Sequence, residues 1–116
     1  MKAKKDKEVV LKEGIILTCV SVFGTTVTLN SATLKHIKER HPEVLQLPDL
    51  YANIKATIES PDFITAGHTN EIVALKKITG THKFLAVFYV ERSRIKTLFI
   101  TSKPDSFKRR GTVWPK

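Results

Sequence analysis

Cysteine is nearly absent, Cys19 being the only one. That excludes an intramolecular disulfide framework and any cysteine-rich zinc site, and a single thiol inside an apolar run reads as a buried core group in a reducing compartment. Long apolar runs are missing too. IILTCVSVF and FLAVFYV stop far short of the roughly 20 residues that cross a bilayer. The lysine-rich start KAKKDK is not expected to act as a signal peptide: Asp6, Glu8 and Glu13 interrupt its charge, Thr18 and Ser21 interrupt the apolar stretch, and no clear small-x-small cleavage motif follows directly. A cytoplasmic protein without membrane contact is expected. Glycine and proline, five each, are scattered, so there is no Gly-rich phosphate loop, internal repeat or low-complexity block. Acidic residues number 11 against 20 Lys and Arg and do not cluster, which leaves two-metal chemistry and a Ser-His-Asp set without parts. His36, His41, His68 and His82 are too dispersed for a zinc motif. No metal or other cofactor is expected.

What the chain does have is positive charge, unevenly placed. The formal net charge is +9 over 116 residues, and residues 92–116 hold Arg92, Arg94, Lys96, Lys103, Lys108, Arg109, Arg110 and Lys116 against Asp105 alone, a local balance of +7. Such a potential draws a polyanion, nucleic acid above all; the plain alternative is a solvated tail that serves solubility. The 41% hydrophobic and 27% charged fractions suit one globular domain over residues 1–116, with residues 1–8 and about 104–116 expected as flexible basic arms. Trp114 either stacks on a base or docks back onto the domain.

Along the chain, IILTCVSV (15–22) and TTVTLN (25–30) are β-branched runs split at Phe23-Gly24, which predicts a hairpin. Ser31 is a good N-cap for a helix from Ala32 that Pro42 should end. A second helix is predicted from Leu50 to about Glu59, capped by Asp49, with Leu50, Ile54 and Ile58 as its stripe and Ser60-Pro61 as its stop. FITAGH, IVALKKI, KFLAVFYVE and IKTLFIT follow with short turn-like connectors, and such connectors join antiparallel neighbours. The expected fold is α+β: an N-terminal β-hairpin, then two short helices packed on a roughly four-stranded antiparallel sheet.

HIKERHPEV, residues 36–44, holds the residues best suited to proton transfer. On an ideal helix His41 points with the apolar stripe toward the sheet, while His36 and Arg40 lie together on the flank. The two imidazoles can converge only if the helix opens at Pro42. A core histidine or C-cap is the bland account of His41, a surface residue that of His36. RNA needs no metal to be cut if one group removes the 2′-OH proton, another protonates the leaving 5′ oxygen and a cation stabilises the phosphorane. Histidine, lysine or arginine, and a hydroxyl are enough.

The succession LNSATLKHIKERHPEV, IKATIESPDFI, IVALKKI, FLAVFYV and IKTLFITS resembles the small phage and bacterial nuclease families grouped with barnase, EndoU, colicin-type tRNases and RelE, the BECR group. The likeness covers about residues 28–103 and rests on the HPE and SPD motifs in this order. It implies a metal-independent, toxin-like endoribonuclease with a helical histidine, a strand lysine and a hydroxyl near the last strand. Carried onto this chain, those are His36 and His41, Lys76, and Thr101 with Ser102. Arg40, Ser102, Lys103, Lys108, Arg109 and Arg110 are the expected nucleic-acid contacts, and in IVALKKI one of Lys76 and Lys77 must face out if the other faces in. RNA, tRNA among its forms, is the implied partner, with an acidic antitoxin or immunity protein as a second. A non-catalytic nucleic-acid-binding module and a toxin–antitoxin interaction protein stay open as alternatives.

Overall fold

Two β-branched runs open the described part of the chain, residues 14–116 of a computed structural model. The arm expected at residues 1–8 lies outside the described residues. Strands β1 (Ile15–Val20) and β2 (Thr26–Asn30) pair antiparallel, as the hairpin reading requires. The chain then enters α1 (Ser31–Arg40) without a loop. Its cap is Asn30 rather than Ser31. Asn30 is the last extended residue (φ −103°, ψ 163°), and its side-chain oxygen accepts the Thr33 N–H at 2.8 Å, whereas Ser31 is already helical.

A 3-10 turn, Pro42–Gln46, separates α1 from α2 (Leu50–Glu59). Asp49 caps α2 as its sequence predicts, accepting the Ala52 N–H at 3.2 Å from a left-handed backbone (φ 51°). Each helix has only 10 residues, a length that is marginal in isolation. Burial holds them: Leu34, Ile37, Ile54 and Ile58 are almost wholly enclosed, at roughly 1.5–3 kcal/mol for each such side chain.

The surface they lie on is an antiparallel sheet. Strands β3 (Phe63–Ala66), β4 (Ile72–Lys77), β5 (Phe84–Tyr89) and β6 (Ile95–Thr101) form the expected meander. A fifth strand was not legible. Residues 104–116, expected as an arm, fold into α3 (Pro104–Lys108) and β7 (Thr112–Trp114), and β7 pairs with β3 to give the order β6-β5-β4-β3-β7. The reason is apolar anchoring: Phe107 is buried, and Val113 and Trp114 pack on the main core. The hairpin joins the opposite edge, where the Thr28 N–H donates to the Ser93 carbonyl at 3.0 Å.

The sheet has two unlike faces. Ile64, Ala74, Leu85, Val87 and Leu98 point into the core beneath α1, α2 and the hairpin. Phe63, Val73, Leu75, Ala86 and Phe88 point the other way, with Phe84, Phe99 and Phe107 around them. Among the described residues no helix is long and apolar enough to cross a membrane.

Candidate active site on the phenylalanine face of the sheet

Directly opposed residues of neighbouring antiparallel strands share a face. Lys77, Phe84 and Thr101 make one such row across β4, β5 and β6, and Leu75, Ala86 and Phe99 make the next. Phe63 extends the second row through its pairing with Leu75. On this floor α3 lays Phe107, whose ring centroid stands 6.0 Å from Phe88 and 6.2 Å from Phe99. The basic residues expected on a loose arm are thereby fixed above aromatic rings. Lys108 Nζ stands 4.8 Å from the Phe63 centroid and the Arg110 guanidinium carbon 5.1 Å from that of Phe107, distances at which a cation is held by the ring face.

His41 reaches this face because of the proline after it. A residue preceding proline is kept out of the helical region, and His41 takes φ −132°, ψ 66° while its N–H caps α1 by donating to the Ile37 carbonyl at 2.7 Å. The ideal-helix expectation, with the ring under α1 in the apolar stripe, therefore does not apply. The imidazole instead lies beside the edge strand β6 against Phe99, ring centroids 5.1 Å apart. The side chain is 32% exposed, and Nδ1 is 3.7 Å from a Glu43 carboxylate oxygen. One nitrogen faces a carboxylate; Nε2 has no hydrogen-bond partner among the described residues.

Thr101 follows two residues after Phe99 on the same side of β6, a Cα separation of roughly 7 Å. Its hydroxyl oxygen accepts the Lys103 N–H at 3.0 Å and keeps its own proton to donate. Lys77 lies across Phe84 from Thr101, roughly 10 Å away at the usual strand spacing. The remaining sequence candidates are elsewhere. Lys76 points to the helix side, where Nζ donates to the Ser60 carbonyl at 2.6 Å, beyond the end of α2. That bond gives it a structural partner and takes it off the phenylalanine face, so Lys77 is the lysine that shares a row with Thr101. His36 and Arg40 are exposed on α1, away from its buried Leu34 and Ile37. Lys103 and Arg109 are exposed at the two ends of α3. Ser102 is exposed and lines a groove at the end of the sheet together with Glu43.

Glu43 and Phe99 are not among the sequence candidates, and Lys77 stands there only as the alternative to Lys76 in IVALKKI. Glu43 was within sight, because HPE sets a carboxylate two residues from His41. The other two depend on which face each residue of β4 and β6 takes, and β4 is buried on both sides.

Cys19, Tyr89 and Glu71 lie away from this face. Burial, with Glu59 nearby, pushes the Cys19 thiol up to about 11 despite Lys55, so it stays protonated and unreactive at neutral pH. Burial raises the Tyr89 phenol as well. Glu71 closes the β3–β4 turn. Its carboxylate accepts hydrogen bonds from the Thr69 hydroxyl and the His68 N–H, and the Thr69 bond first, then backbone N–H groups and Lys96, hold its pKa down to about 2. Among the described residues no three His, Cys, Asp or Glu side chains converge to hold a metal ion.

A search of curated proteins and of solved structures finds no match to this chain. A family model does match: phage-Barnase-EndoU-ColicinE5/D-RelE like nuclease3, over residues 6–103. That span runs from before the hairpin to the end of β6, taking in His41, Lys77, Phe99 and Thr101. Two helices on an antiparallel sheet accord with the match, and the chain belongs to this family of nucleases.

Proposed function

We propose that this nuclease cuts RNA on the phenylalanine face by attack of the 2′-OH on its own phosphodiester. The carrying observation is that His41 leaves α1 to lie against Phe99, on the strand face that presents Thr101. His41 takes the 2′-OH proton through Nε2, and the facing Glu43 carboxylate steadies the imidazolium that forms. The 2′ oxygen bonds to phosphorus and the bond to the 5′ oxygen breaks, leaving a 2′,3′-cyclic phosphate and a 5′-hydroxyl end once that oxygen takes a proton from solvent. Lys77 offsets charge on the phosphorane, and the Thr101 hydroxyl donates to a phosphate oxygen. Flanking bases stack on the partly exposed Phe84 and Phe99, while Lys108 and Arg110 meet the adjoining phosphates. His36 has no part in the chemistry; with Arg40, Lys103 and Arg109 it supplies surface charge.

Incubation of the purified chain with tRNA or total RNA in EDTA tests this. Fragments ending in 2′,3′-cyclic phosphate are expected. Salt-dependent binding with intact RNA ends would replace the enzyme by a nucleic-acid-binding module, the second reading that the cations above Phe63 and Phe107 favour.

A further inference from the structure

At the end of the sheet, on its helix side, lies a groove of about 560 Å³ between the 3-10 turn, the start of α2 and the β4–β5 turn. We propose that it receives one unpaired nucleobase of the RNA strand and so decides where the strand is cut, an inference that rests on the ribonuclease reading above.

The lining argues for a base rather than a phosphate. Its apolar part is Leu47, Pro48, Ile78 and Ile100, with Leu47 almost fully buried and the two isoleucines half-buried. Around these stand Gln46, Asn53 and Thr79, neutral groups that offer donors and acceptors. Charge is balanced, Glu43 against Lys83, where a phosphate site would be rich in cations. Asn53 is pre-set: its amide nitrogen donates to the Pro48 carbonyl at 2.7 Å, which turns the amide oxygen away as a fixed acceptor. Gln46 is exposed and its side chain has no hydrogen-bond partner among the described residues, so its amide is available to an edge of a planar ring. An apolar floor with a few placed polar groups is the usual make-up of a small-ligand site.

Position links the groove to the chemistry through two residues. Glu43 lines it and also faces His41 Nδ1 at 3.7 Å. Ser102 lines it and follows Thr101 in the chain. A nucleotide whose phosphate lies at His41 and Thr101 can therefore turn its base past the end of β6 into the groove. Base contacts of this kind, to an unstacked nucleotide, are how single-stranded RNA is read.

The test uses uncleavable 2′-O-methyl hexanucleotides, uridine throughout except for one position that holds each of the four bases or an abasic residue. Fluorescence anisotropy would measure their affinity for the full-length chain and for Gln46→Ala. We expect the best base to bind at least about 10-fold tighter than the abasic strand, and the spread to shrink to about 3-fold or less in Gln46→Ala; a 10-fold step is about 1.4 kcal/mol. Equal binding of all five strands, or a spread that Gln46→Ala leaves unchanged, overturns the proposal. The all-ribose hexamers in EDTA keep the two readings apart: base-selective binding without cleavage sinks the ribonuclease reading and leaves the groove as a base site.

Discussion

The two faces of the sheet are built from different side chains. Beneath the helices the residues are mostly aliphatic and almost entirely enclosed; on the opposite face phenylalanines predominate, with half-exposed Phe84 and Phe99, and cations stand above Phe63 and Phe107. Aliphatic packing does one thing, which is to hold the helices. A second core of rings, bordered by lysine, arginine, histidine and threonine, also presents the partly exposed Phe84 and Phe99 beside charge, as a nuclease surface needs. The difference reaches single neighbours: Lys76 and Lys77 are adjacent in sequence, yet one serves the end of α2 and the other the open row with Phe84 and Thr101.

Substitutions on one face and the other break this comparison in different observables. The largest effect belongs to His41→Ala, which should lower kcat/KM for RNA by roughly 10²–10⁴-fold, the usual weight of a general acid–base group, while His36→Ala stays within about 3-fold; steady-state cleavage of a labelled RNA measures both. Ile37→Ala, under α1, should instead cost about 2–5 kcal/mol of stability, read as a lower urea midpoint. Lys77→Ala should reduce cleavage by about 10-fold, in line with about 1.4 kcal/mol of lost charge stabilisation, without moving the urea midpoint. Lys76→Ala should do the reverse, because its bond to the Ser60 carbonyl is a contact of the fold.

The smallest effect concerns acid. The folded chain holds the Glu71 pKa down to about 2, below that of an unfolded carboxylate, so protons favour the unfolded state. Its contribution is complete above the ordinary carboxylate pKa near 4.3 and is lost as pH falls from there through about 2. Glu71→Gln should flatten the stability–pH curve across that window, as urea titrations at successive pH values would record. Gly67 belongs to the same turn: a Cβ there would lie 2.6 Å from the Glu71 carbonyl oxygen, so Gly67→Ala strains the closure that Glu71 makes.

Local chemistry made most of the fold legible. β-branched runs and short connectors marked the hairpin and the four-stranded meander, and Asp49 and Ser60-Pro61 bounded α2 within the chain. What stayed hidden depended on contacts between distant residues. Phe107 and Trp114 turn a basic tail into α3 and β7 only because a phenylalanine floor and the edge of β3 await them. In the candidate site, His41 was identified as a residue but not in its direction, since a helical wheel has no meaning for a residue that Pro42 pulls out of the helix. Lys76 and Lys77 were indistinguishable because β4 is buried on both sides, which removes the alternation that would have told them apart.

The claim that RNA lies on the phenylalanine face, opposite the helices, is tested most directly by backbone amide shifts in ¹⁵N-labelled protein titrated with an uncleavable 2′-O-methyl oligonucleotide. Shifts concentrated at His41, Lys77, Phe84, Phe99, Thr101 and Lys108 are the expected result. Shifts confined to the exposed side of α1, around His36 and Arg40, with that strand face unmoved, would contradict it.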